Sequence, residues 1–507
     1  MPRFALCALL LALASTTLAP ASAGQDARAS ARATEAAKLT ASDGAARDRF
    51  GVSVSVSGTR ALVGAFADED AGDDAGSAYV FERVGGTWTE TAKLTASDAA
   101  AGDVFGISVA LDGTRAIVGA ESDDGASLNQ GSAYIFERVG GTWTETAKLT
   151  ASDAAQDDGF GHRVAISGTR AIVGVFANAD AGVGGGSAYV FEVVGGTWTQ
   201  TARLTASDES AAFGRAVAID GTRAVVSDPF SDDEANNAGS VYVFDLVGGT
   251  WTETAKVSAS DAAADDLFGE AIALDGSRIL VGAANADVVD LGSGRAYVFD
   301  LVAGTWTETA KLVPTDAARG DDFGNAVALQ GDRAVIGALF DDDDGFASGG
   351  AYVFERAGGA WSQTTKLDPS DGASRDEFGR SVALDAGIVL VSASADDDRG
   401  ADSGSVYVFS DAPTTTEAAP TPSVMLDVPR PNPASGLARV TYALAAPASV
   451  EVAVVDLLGR TVAVLASGPH PAGRHETAIP GTLAPGVYVA RLRTGAEAVA
   501  RRFSVVR

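Results

Sequence analysis

Cysteine is almost absent from this sequence of 507 residues. The only one, Cys7, lies in an apolar stretch close to the first residue. Disulfide bonds, thiolate metal ligands and a cysteine nucleophile are therefore excluded from the rest of the chain. Its stability has to come from packing, with bound ions as a possible addition.

Histidine is nearly as scarce, with three residues in the chain. His162 stands alone, and no cysteine accompanies His470 and His475 to complete a zinc ligand set. No Ser-His-Asp set can be assembled, and the many glycines occur in turns rather than in phosphate-binding loops. The sequence therefore predicts a protein that is not an enzyme. Carboxylates are abundant, so an acid pair of the glycosidase type stays open as an alternative.

Long hydrophobic runs are also missing, apart from residues 4–14. This run follows Arg3 and precedes the small residues 21–23, a pattern typical of a secretory signal peptide. We predict a signal peptide over residues 1–23. The run is too short to span a membrane, and no later stretch is long enough, so no transmembrane segment is expected.

Positive charge is in deficit, with 37 Lys and Arg against 67 Asp and Glu and a net charge of −30. A surface this acidic repels nucleic acid and anionic membranes. We expect no nucleic-acid partner, and cations or cationic partners fit better. The alternative is that the charge only keeps an exported protein soluble.

What the sequence does contain is a phenylalanine-glycine pair in seven copies. Successive copies are 55 residues apart, except for one step of 53 residues. A fixed period of this size indicates an array of one supersecondary unit. The phenylalanines of the seven pairs are Phe50, Phe105, Phe160, Phe213, Phe268, Phe323 and Phe378.

Each unit has the pattern of four short antiparallel strands, which in the second copy are predicted at 105–111, 115–120, 132–139 and 142–149. Apolar runs without alternation indicate sheets that are covered on both faces. Seven such units predict an all-β fold, a seven-bladed β-propeller of four-stranded antiparallel blades over residues 33–410.

The two ends of this array are complementary. The seventh unit stops after its third strand, whereas residues 34–39 resemble the fourth strand at 144–149. We predict that the amino-terminal strand completes the last blade and closes the ring, which removes exposed sheet edges. An open solenoid is the alternative.

With these seven in-phase copies, the sequence resembles the FG-GAP repeat family, which is related to the propeller of integrin alpha chains. Kelch and WD40 propellers fit less well, because the period here exceeds that of WD40 repeats. Integrin-type blades carry an Asp-x-Asp-x-Asp-Gly calcium loop between the first two strands. That connection is here a tight turn at Asp112-Gly113-Thr114, so this site is not carried over.

The long loops after the second and fourth strands of each blade should share one face, and both are acidic. After the second strand, an Asp/Asn-x-Asp-x-Gly pattern places oxygen ligands at alternate positions, which suits calcium. No glutamate closes the loop at the usual distance, and solvated turns are the alternative. The predicted calcium ligands are Asp68, Asp70 and Asp74 in blade one, Asp396, Asp398 and Asp402 in blade seven, Asp341 and Asp343 in blade six, and Asn178 and Asp180 in blade three.

Two positions next to each Phe-Gly pair are predicted to have different roles. An aspartate two residues before the phenylalanine occurs in six copies and is expected to cap the turn into the inner strand. The residue after Phe-Gly is variable and could contact a ligand at the channel mouth, or it could be tolerated at a solvated rim. These variable residues are Val52, Ile107, His162, Arg215, Glu270, Asn325 and Arg380.

The tail divides into a Pro/Thr-rich linker over residues 411–424 and a small Ig-like β-sandwich over residues 425–507. Its ordered motifs include Tyr442-Ala443-Leu444, an Asp-Leu-Leu-Gly-Arg run ending at Arg460, and a Val-Tyr pair at Tyr488. The tail resembles the C-terminal sorting domain of the type IX secretion system. This resemblance implies the type IX machinery as a partner and transport across the outer membrane of a diderm bacterium.

These observations together favour a secreted or cell-surface binding protein that recognises a glycan or a protein, with calcium as a candidate cofactor. Two alternatives stay open. One is an exported carbohydrate-active hydrolase or lyase that uses aspartates of the acidic face, and the other is a structural envelope protein.

Overall fold

The structure is a computed structural model that describes residues 33–176, 185–208, 212–411, 424–426, 438–444, 447–456, 460–471, 473–494 and 498–506. Every helix or strand in these ranges is a β-strand, so the all-β prediction is confirmed. No helix there is long and apolar enough to cross a membrane. The chain divides into two compact units between Ala412 and Pro413.

The first unit contains seven four-stranded antiparallel sheets, one for each predicted blade. Blades one to three consist of β2 (Val54–Ser57), β3 (Arg60–Ala65), β4 (Ser77–Val84) and β5 (Thr87–Leu94), then β6 (Ser108–Asp112), β7 (Arg115–Ala120), β8 (Ser132–Val139) and β9 (Thr142–Leu149), then β10 (Arg163–Ser167), β11 (Arg170–Val175), β12 (Ser187–Val194) and β13 (Thr197–Leu204).

Blades four to six continue the same order, with each strand paired to the next in the chain. Their strands are β14 (Val217–Asp220), β15 (Arg223–Asp228), β16 (Ser240–Val247) and β17 (Thr250–Val257), then β18 (Ala271–Asp275), β19 (Arg278–Ala283), β20 (Arg295–Val302) and β21 (Thr305–Leu312), then β22 (Phe323–Gln330), β23 (Arg333–Ala338), β24 (Gly350–Ala357) and β25 (Ala360–Leu367).

Blade seven is built from both ends of the repeat array. Its sheet has the order β1-β28-β27-β26, with Thr34 opposite Ser410 and Leu39 opposite Val406. The predicted closure of the ring by the amino-terminal strand is therefore confirmed. The four strands are β1 (Ala33–Leu39), β26 (Phe378–Asp385), β27 (Ile388–Ala393) and β28 (Ser405–Asp411).

The Phe-Gly pair fastens each blade to the one before it. Phe105 forms a parallel bridge with Gly76 of blade one, and Gly106 takes a left-handed conformation with φ 96°. A β-carbon on Gly64 of blade one would overlap the carbonyl oxygen of Gly106. Because Phe105 and Gly106 make this junction between blades, β6 begins at Ser108, three residues later than predicted.

Two closed rings of hydrogen bonds join the seven blades. In the outer ring, a backbone N–H in the loop before each blade donates to the side chain of a Glu or Gln on the blade's fourth strand, and Glu35 of β1 fills this role in blade seven. The donor–acceptor pairs are Ser42 with Glu90, Ser97 with Glu145, Ser152 with Gln200, Ser207 with Glu253, Ser260 with Glu308, Thr315 with Gln363, and Ser370 with Glu35.

The inner ring, called here the turn ring, lies at the tight-turn end of the first strands. The side chain that ends the first strand of one blade accepts a hydrogen bond from the turn of the next blade. The acceptors and donors are Ser57 with Gly113, Asp112 with Gly168, Ser167 with Gly221, Asp220 with Gly276, Asp275 with Gly331, Gln330 with Ala386, and Asp385 with Gly58.

The carboxyl-terminal unit is a sandwich of two sheets, as predicted, with strand orders β29-β30-β33 and β32-β31-β34-β35. One apolar core receives side chains from both sheets, among them Val440 and Val452. The sequence had not predicted β29. The strands are β29 (Val424–Leu426), β30 (Ala438–Leu444), β31 (Ala448–Val455), β32 (Thr461–His470), β33 (Gly473–Ile479), β34 (Gly486–Arg493) and β35 (Ala498–Val505).

Candidate functional site

The residues that follow the Phe-Gly pairs line one axial cavity of about 360 Å³ at the long-loop end of the first strands. We call these seven residues the mouth ring. Each preceding phenylalanine is buried beneath the blade and packs edge-on against a tyrosine, as Phe105 does against Tyr134 with ring centroids 5.5 Å apart. The members of the mouth ring are Val52, Ile107, His162, Arg215, Glu270, Asn325 and Arg380.

A chain of polar contacts crosses blades two to five at this mouth. His162 Nδ1 donates to Glu121, and Arg215 donates from Nη1 to His162 Nε2 over 3.1 Å and from Nη2 to Glu270 over 2.8 Å. The ring of Phe176 covers both His162 and Arg215. Each cation in this chain therefore already has an anionic or aromatic partner.

Burial and the charge of Arg163 lower the pKa of His162, although the hydrogen bond with Glu121 opposes this shift. A neutral imidazole fits its two contacts, because Nδ1 carries the proton that Glu121 accepts and Nε2 accepts from Arg215. Burial alone would raise the pKa of Glu121, but the hydrogen bond with His162 and the nearby arginines hold it below its ordinary value.

Arg163 is the side chain in this cavity that sequence reasoning missed. It occupies the second position after Phe-Gly and lines the cavity beside the mouth ring. Burial and the charge of Arg215 lower the pKa of its guanidinium. Alignment of the repeats would have revealed it, because the other six blades carry Ser or Ala at this position, namely Ser53, Ser108, Ala216, Ala271, Ala326 and Ser381.

The far side of the mouth carries Asn325 and Arg380. The Asn325 amide donates to the carbonyl oxygens of Gly379 and Arg380 over 3.2 Å, and its oxygen accepts from Leu339 N. Arg380 is exposed and makes a long 3.4 Å contact with Glu377. Asn325 thus stabilises the rim, whereas the guanidinium of Arg380 faces solvent.

Of the predicted calcium ligands, the structure brings Asp68 and Asp70 together around the ammonium group of Lys93, a residue of β5. Lys93 Nζ lies 2.9 Å from Asp68, 2.5 Å from Asp70 and 2.8 Å from Asp43. The Tyr79 hydroxyl lies 2.5 Å from Asp68 Oδ2, and the Asp70 N–H donates to Asp68 Oδ1. Burial alone would lower the pKa of Lys93, but its hydrogen bonds with these aspartates raise it.

Blades seven and six repeat this ammonium cage. Lys38 Nζ lies 2.9 Å from Asp396 and 2.5 Å from Asp398. Lys366 Nζ lies 2.8 Å from both Asp341 and Asp343. In all three blades the ammonium group of a lysine contacts the pair of aspartates that the sequence analysis predicted to bind calcium.

The remaining predicted ligands lie outside these cages. Asp402 pairs with Arg49 over 3.3 Å, and the exposed Asp74 is not among the partners of Lys93. Asn178 and Asp180 fall outside the described residues. No group of three or more His, Cys, Asp or Glu side chains suited to a metal ion occurs in the described ranges. Because ammonium groups hold the described aspartate pairs, an open calcium site does not fit them, and calcium binding stays a prediction.

The aspartate two residues before the phenylalanine makes the capping contact that we expected. Asp48 Oδ2 accepts a hydrogen bond from Ala45 N over 2.6 Å, and Asp376 Oδ2 accepts one from Ala373 N. Burial raises the pKa of both carboxyls to about 6. Their role is therefore to hold the loop in front of the inner strand.

The two carboxyl-terminal histidines, which the sequence did not connect, meet in the sandwich. The rings of His470 and His475 have centroids 5.2 Å apart, and His470 Nδ1 lies 2.8 Å from the Tyr442 hydroxyl. The pairing of β30 with β33 places Tyr442 opposite His475, and the spacing of residues in the sequence could not reveal this part of the cluster.

The chain was compared with curated proteins and with solved structures. A search of curated proteins found no match. The solved structures that resemble this chain include one titled "Novel fungal alcohol oxidase with catalytic diversity among the AA5 family, in complex with copper". It is 14% identical with a TM-score of 0.45, and the match covers 94% of this chain and 100% of that one. At that score the likeness carries no argument here.

The family model described as the FG-GAP repeat matches this chain seven times. Each match begins with the outermost strand of one blade and ends in the third strand of the next. The matched residues are 33–81, 88–136, 143–191, 198–244, 251–299, 306–354 and 361–409. Since these matches cover more than half of the chain and coincide with the seven blades, the protein belongs to the FG-GAP repeat family.

Proposed function

We propose that this chain is an exported binding protein, secreted or attached to the cell surface, whose propeller recognises a glycan or a protein at the mouth ring. The break in symmetry at the axial cavity carries this proposal. The Phe-Gly pair is the same in every blade, yet the next residue is apolar, cationic, anionic or an amide. Tolerance at a solvated rim would permit this variety, whereas recognition of an asymmetric ligand would require it.

The proposal treats the protein as non-enzymatic. A glycosidase mechanism needs one carboxylic acid and one carboxylate on opposite sides of a scissile bond. Asp48 and Asp376 have a pKa of about 6, but both are buried and accept hydrogen bonds from their own loops. They cannot reach a substrate in that position, so these two carboxyls do not support the alternative of a hydrolase or lyase.

Export is the second part of the proposal. We infer that residues 1–23 direct transport across the inner membrane and that the carboxyl-terminal sandwich engages the type IX secretion system of a diderm bacterium. The ordered motifs of the tail support this inference. In a host with that system, removal of residues 425–507 should leave the propeller in the periplasm, and normal secretion of the truncated chain would contradict it.

The binding role can be tested with a glycan array and a surface-protein pull-down. Ile107→Trp fills the apolar wall of the cavity, whereas Val84→Trp places the same bulk on an exposed position of blade one. We expect the wild type and Val84→Trp to bind the same ligand and Ile107→Trp to lose it. Equal binding by all three proteins would place the ligand elsewhere, and no binding by any of them would favour the structural envelope protein.

Calcium can be tested separately from ligand binding. A calcium ion at Asp68 and Asp70 would have to displace the Lys93 ammonium, so we expect calorimetry to show little heat with the wild type. Lys93→Met removes the internal cation and should create a measurable calcium site, because three carboxylates then lack a counter-charge. Tight, chelator-sensitive binding to the wild type would favour calcium-assisted recognition instead.

A further inference from the structure

We infer that the axial cavity is a binding site for a small ligand that carries a carboxylate, and that Arg163 is its anchor. This inference deepens the proposed function and rests on it, because it names the chemistry that the mouth ring would recognise. It starts from the departure of blade three from its own repeat. At a position where the other six blades have Ser or Ala, blade three places a guanidinium in the channel.

The donors of Arg163 are largely unused. In the described part of the chain its guanidinium makes one hydrogen bond, from Nη1 to the carbonyl oxygen of His162 over 3.0 Å. An arginine has five N–H donors in a planar fork that matches a carboxylate. Its half-buried position means that solvent satisfies the other donors only in part. A bound carboxylate would satisfy them and supply the counter-charge.

The neighbouring acids do not neutralise Arg163, because each has another partner. Glu270 lies 2.8 Å from Arg215, and Glu121 is bound to His162. Burial and the charge of Arg215 lower the pKa of Arg163 although Glu270 and Glu121 attract it, so these two acids do not fully compensate its charge.

The charge of the lining is opposite to that of the whole protein. Three arginines and one glutamate line the cavity, with Arg380 as the most exposed of the three, whereas the chain has a net charge of −30. Because Glu270 pairs with Arg215 and Glu377 contacts Arg380, the unbalanced positive charge is that of Arg163, and low-dielectric walls focus its field inside the cavity. An anion is therefore favoured in this cavity although the protein as a whole repels it.

The size and polarity of the axial cavity limit the kinds of ligand that it can bind. A volume of about 360 Å³ is at the lower end for small-molecule sites and is too small for a folded partner. Val52 and Ile107 form an apolar wall in the same cavity. One guanidinium without an anion suits the single charge of a carboxylate, whereas a phosphate dianion would lack a second free cation beside Glu270. The cavity thus fits a carboxylate attached to a small, partly apolar body such as a sugar ring.

The test is calorimetry on the full chain with D-glucuronate, acetate, D-glucose and inorganic phosphate. We expect glucuronate to bind, acetate to bind more weakly and glucose not to bind, with affinities that fall as salt is added. Arg163→Ser gives blade three the serine of blades one and two and should weaken glucuronate binding at least tenfold. Arg83→Ser removes the same charge from an exposed position of blade one and should change nothing.

Several results would overturn the inference. They are the absence of binding by both carboxylates, equal binding of glucose and glucuronate, tighter binding of phosphate, or an unchanged affinity in Arg163→Ser with an intact thermal melt. If the wild type also captures a neutral glycan or a protein that Ile107→Trp loses, the proposed function stands and only the carboxylate assignment fails. If no ligand of any kind binds, both fail.

Discussion

The two ends of the first strands of the blades differ in how much their side chains vary from blade to blade. At the turn ring all seven side chains are hydrogen-bond acceptors, and every one accepts from the next blade. At the opposite end of these strands, the mouth ring contains seven residues of six different types. The turn ring, where every blade makes the same contact, holds the blades together. The mouth ring, where the residues differ from blade to blade, is the end at which we propose ligand binding. Four experiments test this difference between the two rings.

The largest effect is expected at β1, the strand that completes blade seven and closes the circle of blades. Leu39 of β1 is 4% exposed in the core between blades seven and one. Leu39→Ala should lower the free energy of unfolding by about 2 to 5 kcal/mol, because it removes buried methyl groups and leaves a cavity. Urea denaturation measures this loss, and Leu94→Ala, the equivalent change in blade one, is the matched control. A much smaller loss for Leu39→Ala would mean that β1 contributes little to closure.

The stabilisation by the turn ring should depend on the presence of a hydrogen-bond acceptor and not on the charge of that acceptor. Asp385 accepts from Gly58 N over 2.6 Å and closes the ring between blades seven and one. Asp385→Ala removes this bond and should cost about 1 to 2 kcal/mol in chemical denaturation. Asp385→Asn keeps an acceptor and should cost less. Equal losses for the two variants would show that charge, and not the hydrogen bond, matters there.

The stability that His162 of the mouth ring contributes should depend on pH. Burial and Arg163 lower the pKa of His162 below its unfolded value of about 6.5. The stability that this neutral imidazole contributes is therefore complete above about pH 6.5 and is lost as the pH falls through the folded pKa.

Arg163→Ser removes one cause of that shift, so the pKa of His162 should rise and the loss of stability at acidic pH should shrink. One pKa unit corresponds to about 1.4 kcal/mol, and we expect less than that. NMR titration of the histidine ring measures the pKa, and Arg83→Ser is the control. An unchanged His162 pKa would mean that the two side chains are not coupled.

The smallest effect is expected from exchanging acceptors within the turn ring. Ser57 and Asp112 perform the same task in successive blades. Ser57→Asp should change the free energy of unfolding by no more than about 0.5 kcal/mol, because Ser57 is only half-buried and an aspartate keeps the hydrogen-bond acceptor. A thermal melt suffices to measure it. A large loss would show that the ring requires a particular residue at each blade.

The mouth ring could be predicted from the sequence because the Phe-Gly period places its members on equivalent strands. Arg163 was missed, although a lone arginine in a column of Ser and Ala was visible to an alignment of the repeats. The ammonium cages were missed for another reason. Asp68 and Lys93 are far apart in the chain, and the spacing of the aspartates alone suggested a metal rather than a lysine.

The repeats in the sequence predicted the number of blades, the strand pattern of each blade and the closing role of residues 34–39, because strands that are apolar on both faces need a neighbouring blade on each side. The tertiary structure was needed to show which charged side chains pair with one another. It placed Lys93 among its aspartates and left Arg163 without an anion in the axial cavity. Such pairings depend on distances between different strands and blades, and the order of residues in the chain does not contain those distances.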